Sequence, residues 1–282
     1  FFCVLFLLCT LPYIITMCFR QSASTEDASL GDTGDLNQGL LPTGGREGEE
    51  PLDVEEYLVG VLAREIPMTY EPEAIKAQAV IARTNIKSAL EKGEELPESL
   101  TQEKLLELWG EDGFHGNYRK LTEAAEATEG VVLTSQGSYI YAAFHAVSAG
   151  RTRDGEEALG AGNMPYLVAV DSAGDVSSRE FLKVIFLEKE ELVRKLTEAF
   201  PNLVLEAANP LEGLTVTARD SSDYVLEVKN GEEAISGEAF RGALGLNSSC
   251  FFLKEVEGKI RIVTKGLGHG LGMSQYGANE LA

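Results

Sequence analysis

The sequence predicts an α+β fold of mixed helices and antiparallel strands, in which a helical/β core carries the candidate site residues and a smaller α+β unit is inserted. Three observations predict it. Residues 54–65 carry an apolar stripe at helical spacing, with a second helix behind a proline. Short β-rich runs elsewhere are separated by tight-turn signals. Between about residues 177 and 263, helix and strand signals alternate, which reads as a smaller inserted α+β unit.

Composition sets the outer limits. At 282 residues with 44% hydrophobic side chains, the chain can bury a substantial core. Its 24 Lys+Arg against 45 Asp+Glu give a formal charge of −21, which argues against nucleic acid or anionic lipid as a general partner. An anionic substrate needs a local basic patch. Residues 1–19, FFCVLFLLCTLPYIITMCF, are uncharged and long enough to span a bilayer. The rival reading is a cleaved signal peptide, but the run exceeds a usual signal core and no small-x-small site closes it, so an uncleaved anchor is expected. Residues 20–50, acidic and rich in Ser, Gly and Thr, read as a flexible linker, with the folded domain spanning 51–282. Three of the four cysteines lie in residues 1–19, leaving Cys250 alone in the domain and excluding an intradomain disulfide.

In the first helix Val54, Tyr57, Leu58, Val61 and Leu62 recur at i, i+3, i+4, i+7, i+8, and the next stripe position is Glu65. Pro67 disfavours helical geometry at Ile66, which places Glu65 in the last turn, at the negative end of the dipole. Burial and dipole together raise a carboxyl pKa, as a general acid requires. The alternative is that the stripe ends one residue early and Glu65 turns toward Arg64 and solvent. Pro72 suits the first position of a second helix, expected from about Glu73 to Leu90. On it Lys76 and Arg83 are seven apart and share a face, positioned to bind an anionic group or to form a solvated basic face continued by Lys87.

A short helix is expected at Leu100–Trp109 and another ending near Thr128, capped by Gly130. Val131–Thr134 and Tyr139–His145 read as a β-hairpin ending in the polar pair His145 and Ser148. After a glycine-containing loop, Met164-Pro165-Tyr166 leads back to extended structure. In the inserted unit we expect a strand at Phe181–Phe186, a helix at Glu188–Phe200, strands at Leu214–Ala218 and Tyr224–Val228, a tight turn at Asn230-Gly231, a helix capped by Ser236, and a last hairpin of Cys250–Val256 with Lys259–Val263. The closing KGLGHGLGMSQYGA packs five glycines into fourteen residues and presents His269, Ser274 and Gln275, as groove floor or as ordinary helix caps.

Four segments, VLAREIPMTYEPEAIKAQAVIART, FHAVSAGRT followed by PYLVAVDS, SGEAFRGALGLNSS and GLGHGLGMSQYGA, resemble in the same order the stage II sporulation protein D (SpoIID/LytB) family. The resemblance implies a single-pass, extracytoplasmic lytic transglycosylase that cleaves peptidoglycan glycan strands stripped of stem peptides. It implies sporulation proteins P and M as partners in engulfment. It puts the catalytic acid/base on Glu65 and the substrate-binding residues on Lys76, Arg83, His145, Ser148, Tyr166, His269 and Gln275. Some members bind zinc near the FHAVSAG position, but Val147 and Ala149 offer no thiolate here, so no metal and no other cofactor is expected. LytB-type relatives imply the alternative of a glycan-binding activator of a cell-wall amidase.

Overall fold

The computed structural model describes residues 40–41, 52–160, 162 and 164–282. The expected anchor at 1–19 and nearly all of the linker at 20–50 lie outside the described residues. Among the described residues no helix is long and apolar enough to cross a membrane. The fold is α+β, as expected, and divides into two compact units.

The first unit is helical. Strand β1 (Leu40–Leu41) pairs antiparallel with β2 (Leu52–Asp53), and Asp53 then caps α1 (Val54–Glu65) by accepting from the N–H groups of Glu55 and Glu56. Two acidic residues in the first turn suit the positive end of the dipole. Val54, Leu58, Val61 and Leu62 are fully buried, so the periodicity places the helix face correctly. Helix α2 (Pro72–Lys92) ends at Gly93 in the left-handed conformation. The two short helices expected next are merged in α3 (Gln102–Ala127), whose backbone breaks helical geometry only at Gly110. Ile75, Ala79, Ala82 and Ile86 of α2 pack with Leu121, Ala124 and Ala125 of α3 around α1. Gly60 is required by this packing: a Cβ there would lie 2.1 Å from Ser99 Oγ and 2.3 Å from the Leu100 carbonyl oxygen.

The expected hairpin is shorter than its apolar pattern suggested. Only β3 (Thr134–Ser135) and β4 (Ser138–Tyr139) pair, with Gln136 and Gly137 both at positive φ in the turn. The chain enters the second unit at β5 (Phe144–His145), and that compact unit covers His145–Ser274, wider than the expected insertion at 177–263. It contains α4 (Gly155–Leu159), β6 (Leu182–Leu187), α5 (Lys189–Ala199), β7 (Thr215–Arg219), β8 (Val225–Asn230), β9 (Glu233–Ser236), α6 (Gly237–Leu244), β10 (Phe251–Val256), β11 (Lys259–Lys265) and β12 (Met273–Ser274). Two antiparallel sheets, ordered β10-β11-β6 and β7-β8-β9, share a core of Leu192, Leu196, Val225, Val228, Phe240, Phe251, Ile260 and Ile262. Strand β9 was not expected from the sequence: Glu232 and Glu233 mask the strand that follows the Asn230-Gly231 turn. The chain returns to the helical unit with α7 (Gln275–Leu281).

Candidate active site

Glu65 is the last residue of α1, and Ile66 leaves the helix with extended φ/ψ of −127° and 139°. Its side chain is partly buried among the helices, where loss of solvent raises the carboxyl pKa from its usual range to about 7. A hydrogen bond from Gln78 and the positive charge of Arg64 oppose the shift without cancelling it. Arg64 itself is ion-paired with Glu98.

Two glutamines orient this acid. Gln275 Nε2, at the start of α7, donates to the Glu65 backbone carbonyl at 2.7 Å and to Gln78 Oε1 at 3.1 Å. With its oxygen so engaged, Gln78 donates through Nε2 to Glu65 Oε2 at 2.8 Å. Oε2 is thereby held as an acceptor, and the other oxygen, Oε1, accepts no hydrogen bond among the described residues. A proton on Glu65 belongs on Oε1, the oxygen left open for a reacting group. Lys120, on α3, steadies the loop after the helix by donating to the Met68 and Tyr70 carbonyls.

The structure brings Glu65 and Gln275 together, with Gln78 between them, but gives the two expected cations other contacts. Lys76 Nζ is ion-paired with Glu73 at 2.7 Å on its own helix. Arg83 is fully buried. Its Nε and Nη2 both lie 2.7 Å from the Glu55 carboxylate, and the remaining donors reach the Ala125 and Val131 carbonyls and Thr128 Oγ1. That guanidinium is spent on tying α2 to α1 and to the end of α3 and the segment that follows it. The seven-residue spacing that made Lys76 and Arg83 look alike thus covers one partly solvated and one core position.

The other predicted residues lie in the second unit. His145 is buried, with Nδ1 3.0 Å from the Leu271 carbonyl oxygen and Nε2 without a hydrogen-bond partner. His269 stands beside it, ring centroids 5.8 Å apart, its Nδ1 accepting from the Leu271 N–H at 3.1 Å. Burial lowers the His145 pKa to about 4, and burial with the neighbouring His145 lowers that of His269 to about 3, so both are neutral at pH 7. The glycines around His269 serve close approach: at Gly268, φ +114°, a Cβ would lie 2.8 Å from that of His145, and at Gly270, φ +81°, 2.5 Å from Tyr224 Cζ. Ser148 is fully buried, its N–H donating to Asp175 Oδ2 and its Oγ accepting from Gly150. Tyr166 is half-buried beside Leu167, whose carbonyl accepts from Gly155 at 2.7 Å.

Sequence reasoning missed the group that fastens this loop. Arg153, 3% exposed, donates to Asp220 Oδ2 at 2.6 Å, to Glu238 Oε1 at 2.9 Å and to the His269 carbonyl at 3.1 Å, and its guanidinium carbon lies 4.8 Å from the Tyr224 ring centre. It also missed Gln78, although a glutamine on the alanine-rich buried face of an amphipathic helix was a visible signal.

Comparison with known proteins places the chain in a family. The sequence model described as SpoIID, stage II sporulation protein, matches residues 45–135, which include Glu65, Lys76, Gln78 and Arg83. Stage II sporulation protein D of Bacillus amyloliquefaciens is 35% identical over 83% of this chain and 69% of its own length. That of Bacillus subtilis strain 168 is 32% identical over 93% of this chain and 79% of its own. A more distant relative is the amidase enhancer of the same strain, 26% identical over 80% of this chain but 37% of its own length. With both sporulation relatives matched above 30% identity over more than two thirds of their length, the chain belongs to the stage II sporulation protein D family.

Proposed function

We propose that the chain is a peptidoglycan lytic transglycosylase that cleaves the bond between N-acetylmuramic acid and N-acetylglucosamine and closes a 1,6-anhydro ring. The observation that carries this reading is Glu65: one carboxyl group with a pKa near 7, its Oε2 held by Gln78 and its Oε1 open. Most glycosidases divide acid and base between two carboxylates. A transglycosylase uses the sugar's own C6 hydroxyl in place of water, and one carboxyl serves both steps in turn. Protonated Glu65 donates to the glycosidic oxygen as its bond to the muramic acid anomeric carbon breaks. The resulting carboxylate takes the C6 hydroxyl proton as that oxygen bonds to the same carbon, which returns Glu65 to its starting state. Gln78 stabilises the carboxylate stage, and Gln275 holds Gln78 in the donating orientation. In this reading Arg83 serves the fold rather than the substrate, and the apolar run at residues 1–19 tethers the domain at the outer face of a membrane.

The test is incubation of the chain with peptide-free glycan strands and mass spectrometry of the ends. We expect 1,6-anhydro ends from the parent and none from Glu65→Gln; ends from that variant refute the assignment. The relative named as an amidase enhancer supports a second reading, in which the chain binds glycan and stimulates an amidase without chemistry of its own. Binding by the parent with no anhydro ends decides for it.

A further inference from the structure

The outward face of the β10-β11-β6 sheet is unlike the rest of this acidic molecule. Strand alternation sends Ile260, Ile262 and Phe251 into the core and leaves Leu182, Val184 and Phe186 on the other side, each between 46% and 55% exposed. The register then sets Val263 and Phe252 in one row with Val184, and Arg261 and Lys254 in the next with Phe186. The apolar stripe from Leu182 to Phe186 runs roughly 13 Å along the strand. Phe252 is flanked by cations, with the Arg219 guanidinium carbon 4.5 Å and Lys265 Nζ 5.2 Å from its ring centre.

Arg261 and Lys254 sit directly opposite each other, an arrangement in which like charges destabilise a sheet. Neither has an ion pair among the described residues, and Arg261 Nε is buried without a hydrogen-bond partner. By contrast Lys259 at the far end of the face is paired with Glu188, and Arg219 and Lys265 lie within 4 Å of the Asp223 carboxylate. In a chain of formal charge −21, two uncompensated cations beside exposed phenyl rings fit an anionic ligand that also has flat apolar surfaces.

We propose that this sheet face is an accessory docking surface for a glycan strand bearing free carboxylates. The identity of the polymer rests on the glycan reading given above. A muramic acid without its peptide carries a lactyl carboxylate on alternate sugars, and sugar rings present C–H faces to phenyl groups. Arg261 and Lys254 take the carboxylate, and Phe186 with Val184 takes the ring face. A thin strand meets only this strip, whereas an anionic bilayer would also approach the acidic remainder of the surface, so charge favours the strand over a membrane.

The experiment measures binding of end-labelled, peptide-free glycan by fluorescence anisotropy, with full-length chain carrying Glu65→Gln so that the strand stays intact. Lys254→Gln with Arg261→Gln should weaken binding at least about tenfold, the size expected for losing charge-assisted hydrogen bonds. The same pair of changes removes cross-strand repulsion and should raise the melting temperature, which a purely structural role would not predict. As a control that needs no further substitution, strands amidated at the lactyl carboxylates should bind the Glu65→Gln chain at least about tenfold more weakly than unmodified strands. Binding by the double variant within about twofold of the parent, equal binding of amidated strands, or sensitivity to the double change only on phosphatidylglycerol vesicles overturns the proposal. Because every protein in this assay carries Glu65→Gln, its outcome is independent of whether Glu65 catalyses.

Discussion

The helical unit keeps a proton that its solvent would take, and the second unit refuses protons that its solvent would give. Both effects come from burial, and they differ in sign because burial favours whichever form is uncharged. Glu65 is held protonated to about pH 7, and His145 and His269 are held neutral down to about 4 and about 3. A neutral carboxylic acid can give a proton to a leaving oxygen. A neutral imidazole whose Nδ1 faces a carbonyl serves to fix a loop. Burial thus yields an acid in one unit and a scaffold in the other.

The sharpest way to break this contrast is Glu65→Gln, which preserves shape and removes the proton. We expect a loss of anhydro-product formation of about 10²- to 10⁴-fold, read by chromatography of the ends, with circular dichroism unchanged. Next in size is the loss of a buried cation in either unit. Arg153→Met strands Asp220, which has no solvent access, and should cost about 3–5 kcal/mol in urea unfolding. Arg83→Met should cost less, because its partner Glu55 still reaches water with 29% of its side chain exposed.

How far these partners were legible in the sequence follows from their range. The place of Glu65 in the last turn of α1 was visible because helical spacing and a proline two residues on are local signals. Arg83 was visible as a cation but not as a core residue, since Glu55 lies 28 positions away and periodicity does not report pairing. Gln78 went unnoticed for the same reason, its meaning being set by Gln275. The fold class and most elements were legible, while α3 hid its continuity behind Gly110, and β9 is a strand of four residues with acidic neighbours.

Stability against pH sharpens the contrast further. Glu65 contributes stability that is complete below about pH 4.5, its ordinary value, and lost as pH rises through about 7. The histidines do the reverse: their contribution is complete above about 6.5 and lost as pH falls through about 4 for His145 and about 3 for His269. Chemical denaturation across pH should therefore show that Glu65→Gln removes a loss of about 3 kcal/mol spread between about pH 4.5 and 7, while leaving the acid loss in place. The smallest effect is expected from Gln78→Leu, which removes the hydrogen bond that lowers the Glu65 pKa. The alkaline limb of the kcat/KM profile should move upward, and a downward move would show that Gln78 does not act on the acid.

One contact has a temporal meaning. Gln275 reaches the Glu65 carbonyl across 210 positions of sequence, so the orientation of the acid depends on residues made long after α1. Closing so large a loop is slow compared with local helix packing, because its entropy is lost before the contact forms. Synthesis runs from the N-terminus, and a partly made chain that has packed α1, α2 and α3 still lacks the amide that fixes Gln78. If the proposed function holds, the chain would thereby stay unarmed through most of its own synthesis, its acid aligned only after the whole second unit has been made.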